Sequence, residues 1–231
     1  MENSNKKSLN SLSANLSSEL VNSLYKRFSE ETVHCGVFAD DVTLEIPAEY
    51  LLTVCRALRD EPTFGFGQLI DLCGVDYMQY GMAAWDTKVG SGSFSRGFVP
   101  NKSAKKTNRK IKERFAVIYH LLSHSNNQRL RLRTYAQGDP PSVDSVIGIW
   151  KSADWFEREA FDLFGILFQG HPDLRRILTD YGFSGYPMRK NFSLTGMTEM
   201  HYDPEKKRVV YKRGSTSQRT VIPRVIREKS A

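Results

Sequence analysis

Three carboxylates stand close together in the sequence: Glu157, Glu159 and Asp162. Glu159 and Asp162 are spaced i,i+3, which on a helix puts them on one face. Carboxylates so placed suit general acid–base work or a divalent cation. No histidine or cysteine stands beside them at ligand spacing. Cations are the more numerous neighbours, with Arg158 between the acids and Arg175, Arg176, Arg189 and Lys190 downstream. Ion pairing is therefore the expected role of the group, ahead of catalysis or metal binding. Asp162 is the most telling of the three. An acid in the last turn of a helix faces the negative end of the macrodipole, about 0.3–1 kcal/mol in the wrong direction, so it calls for a partner cation. Histidine is the side-chain type suited to proton exchange near neutrality, and the expected role of His171 is a helix cap or a hydrogen bond to a partner's backbone. His34, His120, His124 and His201 carry no spacing signal.

The familiar catalytic and nucleotide-binding signatures are absent from the sequence: no P-loop, no dinucleotide fingerprint, no nucleophile elbow, no zinc-protease pair. No catalytic, cofactor-binding or metal-ligating residue is expected. The candidates for docking and ion pairing are Glu157, Glu159, Asp162, His171, Asp173, Arg175, Arg176, Asp180, Arg189 and Lys190.

The element that must hold the carboxylates is a helix. Phe156, Ala160, Phe161 and Phe164 fall on or near one apolar stripe, with Glu157, Arg158 and Glu159 off it, and Gly165 is its expected stop. Upstream, Ser142 or Asp144 is expected to cap a helix leading into this one with a break near Lys151. Downstream, Pro172 suits the first turn of a short helix. Beyond Thr179 aromatic, glycine, proline and charged residues follow one another with neither helical nor strand period, which predicts an extended arm lying across a surface.

Earlier in the chain, Leu16, Leu20, Val21, Leu24 and Phe28 predict a helix over about 17–28. Strands are expected over 32–39, 42–46, 114–123 and 129–135, the last two joined by a polar turn, with a further strand near 209–211. Pro47 opens a helix to Arg59, and the segment 64–80 reads as a short helix or turn followed by a strand. The expected fold class is α+β: a mixed or mainly antiparallel sheet with packed helices, followed by a long extended C-terminal arm. The expected divisions are a flexible N-terminus at 1–18, a globular domain at 19–165 with a basic loop inserted at 89–112, a docking arm at 166–211 and a basic tail at 212–231.

The chain has 231 residues, 40% of them hydrophobic, which supports one sizeable core. No run approaches the roughly 20 apolar residues of a membrane span, and the N-terminus lacks a signal-peptide pattern, so the expected location is the cytoplasm of a bacterium. Cys35, Cys55 and Cys73 match no zinc or iron–sulfur spacing and are expected to be reduced thiols. The net charge is +7, with much of the excess between Lys102 and Lys112. That run has no interleaved aromatics, so a solvated loop is favoured over a nucleic-acid track, and an RNA-associated protein is the lesser alternative.

Longer motifs add a resemblance. Glu157–Arg158–Glu159, Asp162–Leu163–Phe164–Gly165 and the run from Gly170 to Phe183 closely resemble the signature of the C subunit of respiratory NADH:quinone oxidoreductase (complex I), the thirty-kilodalton subunit family. The match continues through Gly185, Pro187, Arg189–Lys190, Phe192, Leu194, Gly196, Glu199, Tyr202–Asp203 and Arg208–Tyr211. Upstream, Leu69–Tyr77 and Arg114–Leu122 are also similar to that family. The resemblance spans roughly 20–211. Tyr186, Asn191 and Ser193 stand where the family usually has histidine, aspartate and proline. The resemblance implies a structural subunit of the hydrophilic arm that packs against the quinone-site partner, the D subunit, near the B and I iron–sulfur subunits. On that view FMN, iron–sulfur clusters and quinone belong to partner subunits. Electrons pass from NADH to quinone, coupled to proton translocation, and the subunit lies peripherally on the cytoplasmic side of the bacterial membrane. Asp162, Arg175 and Arg176 are then expected in buried or half-buried ion pairs. The equivalent subunit of a membrane-bound hydrogenase complex is the alternative.

Overall fold

The computed structural model describes residues 18–38, 41–78, 80, 114–192 and 198–213. The expectations for the N-terminal segment, the basic insertion and the tail fall almost wholly outside these residues.

Alternation of apolar and polar residues produces the main sheet. In β2 (Asp41–Ile46) every second residue is buried, and β4 (Phe115–Ser123) and β5 (Gln128–Tyr135) continue the pattern. With β1 (His34–Phe38) and β3 (Gln68–Asp76) they form a five-stranded sheet in the order β1-β2-β5-β4-β3. Only β2 and β5 run parallel; the other neighbours are antiparallel. The sheet is thus mixed and the class α+β, as the pattern of elements predicts.

Two helices supply the other side of the core. α1 covers residues 18–27, and its Leu20 and Leu24, with Phe28 just beyond, are buried at helical spacing. A short 3-10 turn (Ala48–Tyr50) leads into α2 (Leu51–Asp60), which buries Leu51, Val54, Cys55 and Leu58. These residues join Leu44, Ile46, Leu72, Tyr119, Leu121 and Leu132 in one apolar cluster. Each fully buried large aliphatic or aromatic side chain stabilises the fold by about 1.5–3 kcal/mol. On the opposite face β2 and β5 are polar, with Arg131 paired to Asp41 at 3.0 Å and Arg133 to Glu45.

α3 (Ala153–Phe164) packs against β3, with the Phe164 ring over Gly74. It is the crossover between two short parallel strands, β6 (Ser142–Asp144) and β7 (Leu167–Gln169). This corrects the expectation of a helix capped at Ser142 or Asp144. Val143 and Val146 are buried, and the Glu157 carboxylate takes the Val146 N–H at 2.8 Å, so that backbone does not continue as helix. No helix forms after Pro172 either, because the Asp162 side chain takes the N–H groups that a helix there would use. After β7, residues 170–192 form turns and irregular chain without helix or strand.

A second compact unit contains β8 (Thr198–Asp203) and β9 (Arg208–Arg213). They pair antiparallel, with Met200 opposite Tyr211 and Tyr202 opposite Val209.

Candidate docking site

The C-terminal end of α3 is built around charges. Gly165 takes φ +70° as the C-cap, and its N–H reaches Phe161 O at 2.8 Å. That conformation favours glycine, and a Cβ there would stand 2.5 Å from the Tyr186 ring. Arg189 closes the end: its Nε donates to Phe164 O at 2.6 Å, and its guanidinium lies 4.3 Å from the Tyr186 ring centre. A cation at this end of the helix offsets the negative pole of the dipole.

Asp162, in that last turn, has no side-chain exposure. Its Oδ2 accepts the backbone N–H groups of Ile177, Leu178 and Thr179 at 3.0, 2.7 and 2.9 Å. Its Oδ1 accepts the Thr179 hydroxyl at 2.6 Å and Arg176 Nη1 at 3.1 Å. Burial pushes this carboxyl up, but the Thr179 hydroxyl and the three N–H groups outweigh it and hold the group down at about 2. The acid that is misplaced for its own helix is thus the anchor of the chain that follows.

The loop so anchored faces outward. Leu178 is 60% exposed and Tyr181 fully exposed, and Met188 stands out as well. Behind them Arg176 donates to Gly185 O at 2.9 Å and lies 5.0 Å from the Tyr186 ring, as Arg189 does at 4.3 Å. Tyr186 therefore serves as a ring shared by two guanidiniums.

A second anchor lies outside the candidates drawn from the sequence. Asp76, at the end of β3, has a buried carboxylate that accepts Arg114 Nε and Nη2 at 2.9 and 2.8 Å. It also takes the N–H of Met78 and, from the arm, the N–H of Lys190, each at 2.9 Å. Burial raises its proton affinity, but Arg114 and the backbone donors hold it below the usual carboxylate range. The strand period carries a signal for it: Asp76 keeps the inward parity of Leu72 and Gly74. A buried acid at that parity needs partners.

The remaining candidates divide. Glu157 is fully buried against Ser145 and Val146. His171 is buried beside Asp154 at 3.1 Å. Asp173 is half exposed, with Arg175 at 3.1 Å and Arg158 at 3.7 Å. The Arg175 side chain is 68% exposed, so this pair contributes little by itself. Glu159, Asp180 and the Lys190 side chain make no ion pair with a described residue, although the Glu159 charge bears on the Cys73 thiol. Among the described residues no group of three or more histidine, cysteine or carboxylate side chains is arranged to hold a metal ion.

Comparison with known proteins covers the same residues. A family profile described as respiratory-chain NADH dehydrogenase, 30 kDa subunit, matches residues 44–198. The NADH-quinone oxidoreductase C subunit of Coxiella burnetii is 53% identical over 216 residues, covering 91% of this chain and 93% of that protein. The C subunit of the same oxidoreductase from Hydrogenovibrio crunogenus is 49% identical over 214 residues, covering 90% and 94%. Among solved structures, a chain of the membrane-bound sulfane sulfur reductase, an archaeal respiratory membrane complex, superposes with a TM-score of 0.53 at 17% identity. It covers 77% of this chain and 85% of that one, and shares the fold.

Proposed function

The chain belongs to the 30 kDa subunit family of respiratory-chain NADH dehydrogenase, and from that premise we propose that it is a structural, cofactor-free subunit of an NADH:quinone oxidoreductase. It docks other subunits in place so that electrons pass from NADH to quinone, coupled to proton translocation. The D subunit, at the quinone site, is its chief partner, with the B and I iron–sulfur subunits nearby. FMN, iron–sulfur clusters and quinone are held by those partners and the rest of the complex. No helix among the described residues is long and apolar enough to cross a membrane, and on this reading the bacterial membrane is reached through the partners.

One observation carries the docking reading. The buried Asp162 carboxylate fixes the backbone of 177–179 from inside, and the side chains this fixing displays, Leu178 and then Tyr181, point to solvent. Apolar anchors on a pre-ordered backbone lose little entropy on binding, and exposed aromatic anchors are typical of interface hot spots.

The test is a pull-down of the tagged protein from gently solubilised membranes, with mass spectrometry and an NADH:quinone assay on the eluate. The reading predicts flavin, iron–sulfur and membrane subunits together with activity. Recovery of hydrogenase subunits, of RNA, or of the chain alone contradicts it.

A further inference from the structure

Where the arm leaves β7, a partly buried cluster of titratable groups joins elements that the docking surface does not use. α3 contributes Asp154, Glu157 and Arg158, and the arm contributes His171, Asp173 and Arg175. The loop after β6 adds the Ser145 hydroxyl and the Val146 N–H. From the sheet comes the buried Tyr119 hydroxyl, which burial above all holds in its neutral form.

The His171 ring and the Glu157 carboxylate have no exposed side-chain surface and stand 4.0 Å apart, Nε2 to Oε2. Both ring nitrogens are engaged. Nδ1 accepts the Asp173 N–H at 3.1 Å, which places the ring proton on Nε2, 3.1 Å from Asp154 Oδ1. In this pattern Nδ1 is the acceptor and Nε2 the nitrogen that faces the carboxylates. Glu157 accepts the Ser145 hydroxyl at 2.6 Å and the Val146 N–H at 2.8 Å, and no lysine or arginine of the described residues touches it. Burial pushes its carboxyl up to about 7 against those two hydrogen bonds.

The charge balance turns on Glu157. When it is neutral, Asp154 and Asp173 face Arg158, at 2.8 and 3.7 Å, and Asp173 also faces Arg175 at 3.1 Å. When it is ionised, a buried negative charge is added without a cation to match it, and the arm group that faces it is His171.

We propose that Glu157 is a proton-operated latch for the root of the arm: protonated, it lets His171 and Asp173 seat on α3, and ionised, it loosens them. Only a proton is exchanged, between the carboxyl and solvent. The latch works in the same way whichever partner the arm meets.

The test uses the full-length chain and amide hydrogen exchange across residues 170–174, corrected for intrinsic rates. One linked proton changes the local opening constant by about tenfold between about pH 6 and pH 8, protection being lost as pH rises. Glu157→Gln, which keeps the protonated form's charge, is expected to stay protected at both values. Glu159→Gln, on the same helix but outside the cluster, is expected to behave as wild type. The same loss of protection in Glu157→Gln, or none in wild type, overturns the proposal. If Glu157→Gln does not fold, carbon-13 NMR of the wild-type Glu157 carboxyl decides. A carboxyl that is protonated at about pH 6 and ionised at about pH 8 supports the latch, and a carboxylate at both values overturns it.

Discussion

Asp76 and Lys190 are 114 residues apart in the chain, and the Lys190 N–H donates to the Asp76 carboxylate at 2.9 Å. The end of the third strand thereby holds the far end of the 170–190 segment, and Asp162 holds its middle. The 170–190 segment has no helix or strand of its own, so these two buried carboxylates take the place that a hydrogen-bonded ladder would fill.

Asp76→Ala removes the far anchor and the two hydrogen bonds that its carboxylate accepts from Arg114. Breaking a buried pair costs about 3–5 kcal/mol. The Arg114 side chain is partly exposed, which moves the expectation to about 3 kcal/mol, the low end of that range. Denaturant unfolding measures this, and hydrogen exchange is expected to show the Lys190 amide unprotected in the variant.

Asp162 gives stability a pH dependence of known sign. Its folded value of about 2 lies below the ordinary 3.8. The contribution is fully present above about pH 4 and is lost as pH falls toward 2. It amounts to about 2–3 kcal/mol. Unfolding free energies measured at pH 5 and below are expected to fall less steeply with acid in Asp162→Asn, from a lower starting stability.

Glu157 acts with the opposite sign. Its folded value of about 7 lies above the ordinary 4.5, so the folded chain binds this proton more tightly than the unfolded one. Stability is therefore expected to decline as pH rises from about 4.5 to 7, by on the order of 3 kcal/mol, and to level off above. Glu157→Gln should remove that decline in a pH series of thermal or denaturant unfolding.

Gly165→Ala meets two obstacles at once. The φ of +70° disfavours a side chain by about 1–2 kcal/mol. The new Cβ would also lie 2.5 Å from Tyr186 Cζ and 2.6 Å from Arg189 Nη2. The expected result is a loss above the backbone cost alone, with the arm's exchange protection reduced around Tyr186. Gly74→Ala is a comparison in the core, where the Cβ would lie 2.7 Å from the Phe164 ring and overpacking costs about 1–3 kcal/mol.

The elements visible in the sequence are those whose signal is local. Val42–Ile46 and the 115–123 and 128–135 strands alternate cleanly because one face is buried and the other more exposed. Gly165 is legible as a stop, and Asp162 as an acid that needs company. The stretches that depart from expectation depend on contacts distant in sequence. Residues 142–152 carry capping residues suited to a helix start, but parallel pairing with β7 and the Glu157 hydrogen bonds hold the backbone otherwise. Pro172 suits a helix start as well, but Asp162 takes the N–H groups of 177–179. The inward parity of Asp76 is legible, but its partners, Arg114 and Lys190, come from residues that the local pattern does not connect to it.

The central claim, that the loop held by Asp162 is the docking surface, is tested most directly by Leu178→Ser with Tyr181→Ser. Both side chains are exposed, so the chain's own stability should stay within about 0.5 kcal/mol of wild type. Recovery of the other oxidoreductase subunits with the tagged chain is expected to drop severalfold, while turnover per assembled complex stays unchanged. Wild-type recovery from a normally folded double variant would contradict the claim.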